Sequence, residues 1–110
     1  MTQAVNKAKH CASMKEVRQH IDALDDILVP LLVERGAYMT QAARIKANAS
    51  DVRDEARIEA IVQRVRAAAL DQGGHPDVVE RIYRDMMEAY IAFEVQEFDR
   101  LRSNPAGGQS

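Results

Sequence analysis

Residues 13–47 read SMKEVRQHIDALDDILVPLLVERGAYMTQAARIKA, and the spacing of their apolar side chains is that of one very long helix. Apolar residues recur at alternating strides of three and four, as on one helix face; they are Val17, Ile21, Leu24, Leu28, Leu31, Tyr38, Ala42 and Ile45. Ser13 and Glu16 form a capping-box pattern that marks the start. The series passes Pro30 and Gly36 without a change of phase. We therefore expect a single helix about 50 Å long.

Two shorter helices follow the long one. Polar residues 48–51 interrupt the first helix, and Asp51 or Asp54 can cap a second, whose apolar residues are Ile58, Ile61, Val62, Val65 and Ala69. The Gly73-Gly74 pair ends it, and a third helix starts at Pro76 and runs to about residue 102. The main stripe of this helix is Val79, Ile82, Tyr83, Met86, Tyr90, Phe93 and Glu97, widened by Met87, Ile91 and Val95. Because no segment has the alternation of a strand, the predicted fold class is all-α.

The chain of 110 residues is expected to form a single domain over residues 13–102. Residues 1–12 lack apolar periodicity and are predicted to be a flexible lead-in, and residues 103–110 have the composition of a disordered tail. Two short helices cannot cover a helix of this length, so much of its apolar face would be wet in a monomer. We therefore predict an intertwined homodimeric helical bundle.

Charge and motif content narrow the classes of function. The net charge of −2, with acidic and basic residues interspersed, argues against a nucleic acid or membrane partner. No apolar run has transmembrane or signal-peptide length, which favours a cytoplasmic protein. The single Cys11 cannot form an internal disulfide, and the three histidines lack metal-ligand spacing. No phosphate loop or nucleophile with an adjacent base is present, so we expect no cofactor and no metal.

A cluster of cations is the best candidate for a ligand site. Arg35 occupies an apolar stride position, where its charge needs an anionic partner, either an internal carboxylate or a ligand. Lys46 follows eleven residues later and projects from the same helix face, about 16 Å away along the axis. Arg57, early in the second helix, can add a third cation. Such a cluster suits a small dicarboxylate substrate.

Two further polar residues have competing interpretations. Arg18 lies on the edge of the same stripe but about 25 Å from Arg35, too far to reach one ligand within a single chain. In an antiparallel pair of first helices it could complete the partner's site; otherwise it is a solvated arginine. Glu94 lies one turn after Tyr90 on an apolar helix, and it is either exposed or part of the site.

These residues resemble the all-helical chorismate mutase family over about residues 14–102. The resemblance rests on Val17-Arg18-Gln19-His20-Ile21-Asp22-Ala23-Leu24-Asp25, Leu32-Val33-Glu34-Arg35, Lys46 and Val52-Arg53-Asp54-Glu55-Ala56-Arg57. It implies a homodimer with two shared sites that needs no cofactor. One protomer would supply Arg18, and the other would supply Arg35, Lys46, Arg57 and Glu94.

The resemblance also implies roles for the residues. Arg18 and Arg35 would hold the substrate carboxylates, while Lys46 and Glu94 would face the ether oxygen of the bond that breaks. Asp54, Ile58 and Tyr90 are further candidates for substrate binding. A rearrangement of this kind needs confinement of the substrate and cations at the developing negative charge, which matches a site rich in Arg and Lys.

The sequence departs from the usual mutase pattern at some positions, and these departures leave a second reaction as an alternative. The usual mutase has Glu where Ile58 stands, and many bacterial mutases have a small polar residue where Tyr90 stands. Ile58, Tyr90-Ile91-Ala92 and the spacing from Lys46 to Arg57 look more like the isochorismate-pyruvate lyase branch, which yields salicylate and pyruvate. Chorismate mutase is the first interpretation and the lyase is the alternative. A non-catalytic dimeric interaction module is the third.

Overall fold

The computed structural model describes residues 7–103, and this part of the chain is helical without strands. Helix α1 spans Met14–Ile45, α2 spans Glu55–Asp71 and α3 spans Pro76–Ser103, with a 3-10 turn at Ala49–Asp51. The predicted all-α class and the long first helix are confirmed. Residues 1–6 of the predicted lead-in and 104–110 of the predicted tail lie outside the described residues, while Ser103 is the last residue of α3.

Helix α1 runs unbroken through Pro30 and Gly36. The Ser13 hydroxyl accepts a hydrogen bond from the Glu16 amide at 3.2 Å, as the capping pattern predicts. The Glu16 carboxylate turns back one residue further than in the usual capping box and accepts the amide of Ala12 at 2.9 Å. With 32 residues, α1 is about 48 Å long at 1.5 Å per residue, and the longest dimension of the structure is 57 Å.

The apolar core lies between α2 and α3. It contains the buried residues Ile58, Ile61, Val62, Val65 and Met87, with Val79, Tyr83 and Ile91 packed against them. The predicted apolar face of α2 is confirmed, because all five of its residues are buried. Gly73 ends the helix with a φ of 76°, in the left-handed region that glycine adopts without steric cost, and the Gly74 amide then bonds to the Ala69 carbonyl.

Helix α3 packs against both other helices, whereas α1 and α2 do not pack directly on each other within residues 7–103. Its buried residues are Met87, Glu94 and Phe98. Of these three, only Met87 belongs to the predicted apolar face, while Ile82 and Phe93 of the predicted stripe are exposed in the single chain. Apolar residues surround much of α3, and periodicity alone does not tell which of several apolar faces points inward.

A polar contact also joins α1 to α3. The Thr40 hydroxyl donates to Glu97 at 2.9 Å, and Arg100 bonds both oxygens of the same carboxylate at 2.8 and 2.9 Å. The hydrogen bonds from Arg100, and secondarily from Thr40, lower the pKa of Glu97 to about 2. Glu97 is thus held as an anion beside α1.

The first half of α1 has little cover in the single chain. Ala43, near the end of the helix, is its one buried residue. The predicted apolar face is about half exposed or more at Ile21, Leu24, Leu28 and Leu31, as expected for a monomer. Despite this exposed face, no helix in the described chain has the length and hydropathy needed to cross a membrane.

Candidate active site

A cavity of about 320 Å³ lies where the second half of α1, the start of α2 and the middle of α3 meet. Its wall combines charged side chains with apolar ones; the lining residues are Arg35, Met39, Ala42, Lys46, Val52, Asp54, Arg57, Ile58, Ile61, Met87, Tyr90, Ile91 and Glu94. The structure thus brings together every candidate site residue except Arg18. Three separate segments contribute, so the cavity depends on the packing of the whole chain.

Lys46 and Glu94 form an ion pair inside this cavity. Lys46 Nζ lies 2.8 Å from Glu94 Oε2, and the glutamate side chain is only 4% exposed. The ammonium also donates to the Val52 carbonyl at 3.4 Å. An ammonium has three N–H groups, so one remains for a ligand. Lys46 caps α1 in an extended conformation, with φ −65° and ψ 142°, at the point where the chain leaves the helix.

Arg35 has an aromatic neighbour in place of an internal carboxylate. Its guanidinium carbon lies 5.1 Å from the centre of the Tyr90 ring, within range of a cation–π contact. The Tyr90 hydroxyl donates to the Leu32 carbonyl one turn earlier on α1. A Cβ at Gly36 would come within 3.3 Å of the ring, so glycine permits this close approach. Tyr90 therefore orients Arg35, and its hydroxyl is already engaged by the backbone.

Asp54 and Arg57 belong to the first turn of α2. The Asp54 carboxylate caps the helix by accepting the Arg57 amide at 2.9 Å, which settles the choice between the two predicted caps. Ile58, in the next turn, is buried and presents hydrocarbon to the cavity. At this position the site offers no hydrogen bond to a substrate hydroxyl.

Two of the cations have no carboxylate partner in the described part of the chain. Among residues 7–103, no acidic side chain forms an ion pair with the guanidinium of Arg35 or Arg57. The negative charge of Glu94 offsets the positive charge of Lys46, and the Asp54 carboxylate is bonded to a backbone amide at the start of α2. The cavity therefore carries two free guanidinium groups, which is the arrangement that two carboxylates of one small ligand would match.

Arg18 does not reach the cavity of its own chain. It is exposed in the first third of α1, about 25 Å from Arg35 along the helix axis. Its predicted contribution to a site thus requires a second copy of the chain.

Several lining residues were not expected from the sequence. Met39 and Met87 both line the cavity, with Met87 also buried in the α2–α3 core. Met39 and Ala42 lie on the same helix face as Arg35 and Lys46, so the register of the cations could have identified them. Val52 carries no such signal, because it lies outside the regular helices.

Comparison with known proteins identifies the family to which the chain belongs. No curated protein matches the chain. Residues 17–95 match the family description "chorismate mutase type II", and this range includes every residue that lines the cavity, as well as Arg18. Since the match covers well over half of the sequence, the chain belongs to the chorismate mutase type II family.

Proposed function

We propose that this protein rearranges chorismate to prephenate in a site shared by two copies of the chain. The observation that carries the proposal is the pair of unpaired guanidinium groups, Arg35 and Arg57, beside Lys46 in one cavity of about 320 Å³. Family membership supports the same reaction. The substrate is a small dicarboxylate with an ether bridge, and its two carboxylates and its ether oxygen each have a cationic counterpart among Arg35, Arg57 and Lys46.

The reaction is a pericyclic isomerisation in which the ether C–O bond breaks while a new C–C bond forms. It transfers no proton to the protein and needs no nucleophile. The site contributes by holding the substrate in its reactive chair and by placing cations where charge develops. In this proposal Arg35 and Arg57 hold carboxylates, and the remaining N–H of Lys46 faces the ether oxygen. Since the bond-breaking oxygen gains negative charge, Lys46 stabilises the transition state more than the bound substrate.

Glu94 would also face the ether oxygen, where the family commonly has a neutral glutamine. An ionised carboxylate has no proton to donate, whereas the acid form can donate one hydrogen bond as glutamine does. In the structure Glu94 accepts from Lys46 at 2.8 Å. We propose that Glu94 assists the reaction only when it is protonated.

The homodimer is part of the proposal. The uncovered apolar face of α1, from Ile21 to Leu31, is a surface that a second antiparallel α1 would bury. That pairing puts the start of one α1 beside the middle of the other. Arg18 of one copy would then supply a further guanidinium to the cavity of its partner.

Isochorismate-pyruvate lyase is the second candidate, and Ile58 is the observation that favours it. A buried isoleucine in the cavity wall provides no hydrogen bond for the ring hydroxyl of chorismate, at a position where the usual mutase has glutamate. The lyase breaks the same ether bond in isochorismate and transfers a ring hydrogen to the departing enol, giving salicylate and pyruvate. The same cations would serve both reactions.

The test is to assay the purified protein separately with chorismate and with isochorismate, following prephenate in one case and salicylate in the other. Lys46→Ala is the control, because it removes the cation at the ether oxygen and leaves both arginines. Turnover of chorismate that Lys46→Ala abolishes would support the mutase, and turnover of isochorismate alone would replace it with the lyase. If neither substrate reacts and a bicyclic dicarboxylate mimic of the transition state gives no thermal stabilisation, the non-catalytic interpretation stands.

A further inference from the structure

The last carbonyl groups of α1 accept hydrogen bonds from an arginine near the C-terminal end of α3. Arg102 Nη1 donates to the Ala43 carbonyl at 3.0 Å, and Nη2 donates to the carbonyls of Lys46 and Arg44 at 2.6 and 3.4 Å. These carbonyls belong to the last turn and cap of a helix, where no intrahelical amide is available to them. Helices often satisfy such groups with a glycine in the left-handed conformation, but α1 ends in an extended lysine.

The guanidinium of Arg102 is itself held in place. Its carbon lies 3.6 Å from the centre of the Phe98 ring, and Phe98 is a buried residue of α3. Nη1 also donates to the Phe98 carbonyl at 3.3 Å. A planar cation stacked on a fixed ring presents its N–H groups in a fixed plane. The positive charge also lies at the negative end of the α1 dipole, which is a favourable arrangement.

Lys46 is therefore constrained at both of its ends. Its backbone carbonyl is bonded to Arg102, and its ammonium is bonded to Glu94 and Val52. Lys46 is also the residue at which the chain leaves the helix, where backbone ends fray most readily. Without Arg102, the side-chain bonds to Glu94 and Val52 would remain, but the backbone of Lys46 would be held only by its own amide bond to the Ala42 carbonyl.

We propose that Arg102 is a positioning residue for Lys46, acting through the carbonyls at the end of α1 without contacting the substrate. The inference rests on the proposed function, because it assumes that Lys46 acts at the breaking ether bond. Displacement of a reacting group by about 1 Å can lower a rate by about a hundredfold. Loss of Arg102 should thus lower kcat by about tenfold to a hundredfold, while KM, set mainly by the arginines, changes by less than about threefold.

The experiment compares Arg102→Ala and Arg102→Lys with the wild-type protein in steady-state kinetics. The lysine variant keeps the charge but loses the planar fork, so its kcat should fall between those of the wild type and the alanine variant. It also keeps the test decisive if the alanine variant does not fold. Arg100→Ala is the matched control, since Arg100 lies two residues earlier on α3 and bonds the carboxylate of Glu97. Its kcat should equal the wild-type value.

Amide hydrogen exchange gives a readout that does not depend on turnover. Arg102→Ala should exchange faster in residues 42–46, the last turn of α1, and at the wild-type rate in the α2–α3 core. Wild-type kcat in the alanine variant, or a fall in activity matched by an equal fall in folded protein, would overturn the positioning role. A wild-type protein inactive on both chorismate and isochorismate would instead overturn the proposed function, and the positioning role with it.

Discussion

Replacing Leu24 with glutamate should dissociate the proposed homodimer. Leu24 is 65% exposed in the single chain and lies in the middle of the uncovered face of α1. Full burial of a leucine side chain is worth about 1.5–3 kcal/mol, so covering the exposed part contributes about 1–2 kcal/mol per copy. Twofold symmetry doubles the loss to about 2–4 kcal/mol per dimer. At about 1.4 kcal/mol per tenfold, the dimer Kd should rise about 30- to 700-fold, and desolvation of the new carboxylates adds to this.

Sedimentation equilibrium over a range of micromolar concentrations measures the effect. Leu70→Glu is the matched control, because Leu70 on α2 is 66% exposed and away from the α1 face. An exposed leucine outside an interface should tolerate the change within about 0.5 kcal/mol. If Leu24→Glu sediments like the wild type, or if the wild type is a folded monomer at micromolar concentration, the pairing of α1 helices is refuted.

Three further predictions concern the site and its surroundings. Arg18→Ala and Lys46→Ala proteins, each nearly inactive, should regain activity in one of two sites when mixed; no gain after verified subunit exchange would mean that Arg18 acts in its own chain or not at all. Glu94→Gln should raise kcat/KM near neutral pH, because glutamine donates a hydrogen bond that an ionised carboxylate cannot donate. A Gln variant without activity would point instead to Glu94 positioning Lys46. The lowered pKa of Glu97 contributes stability that is present above pH 4.5 and is lost as pH falls towards 2. Denaturant unfolding of Glu97→Gln should show a smaller loss across that range, and equal losses in both proteins would contradict the assignment.

The sequence was sufficient to predict the helices because their ends carry local signals. Ser13, Asp54, Gly73 and Pro76 each act within one turn of their own position, and all four lie at the ends of helices. The apolar face of α2 was also predictable, since one side of it is apolar and the other polar. The inward face of α3 was not, because apolar residues surround much of that helix and only tertiary packing selects among them.

The sequence was sufficient to predict the cations of the candidate site, but not the contacts that these cations make. The eleven-residue spacing of Arg35 and Lys46 fixes their common face through helix geometry alone. The partners of these cations come from residues more than forty positions away, such as Tyr90 and Glu94, and no local pattern encodes those pairings. Arg102 was missed for the same reason. A cation near the end of a helix is normally interpreted as solvated. The role of Arg102 depends instead on where α1 ends in relation to it.

The position of α3 between the other two helices has a consequence for the order of folding. Contacts between α2 and α3 join residues close in sequence, such as Arg66 with Asp77, whereas Thr40 and Glu97 are 57 residues apart. Loops that are shorter close at lower entropic cost, so the α2–α3 hairpin should form first and α1 should dock last. The cavity would then exist only after the final step, and it would open first when the native state fluctuates. In the proposed homodimer, protein concentration would thereby set the fraction of intact sites, because a second chain on α1 would oppose its release.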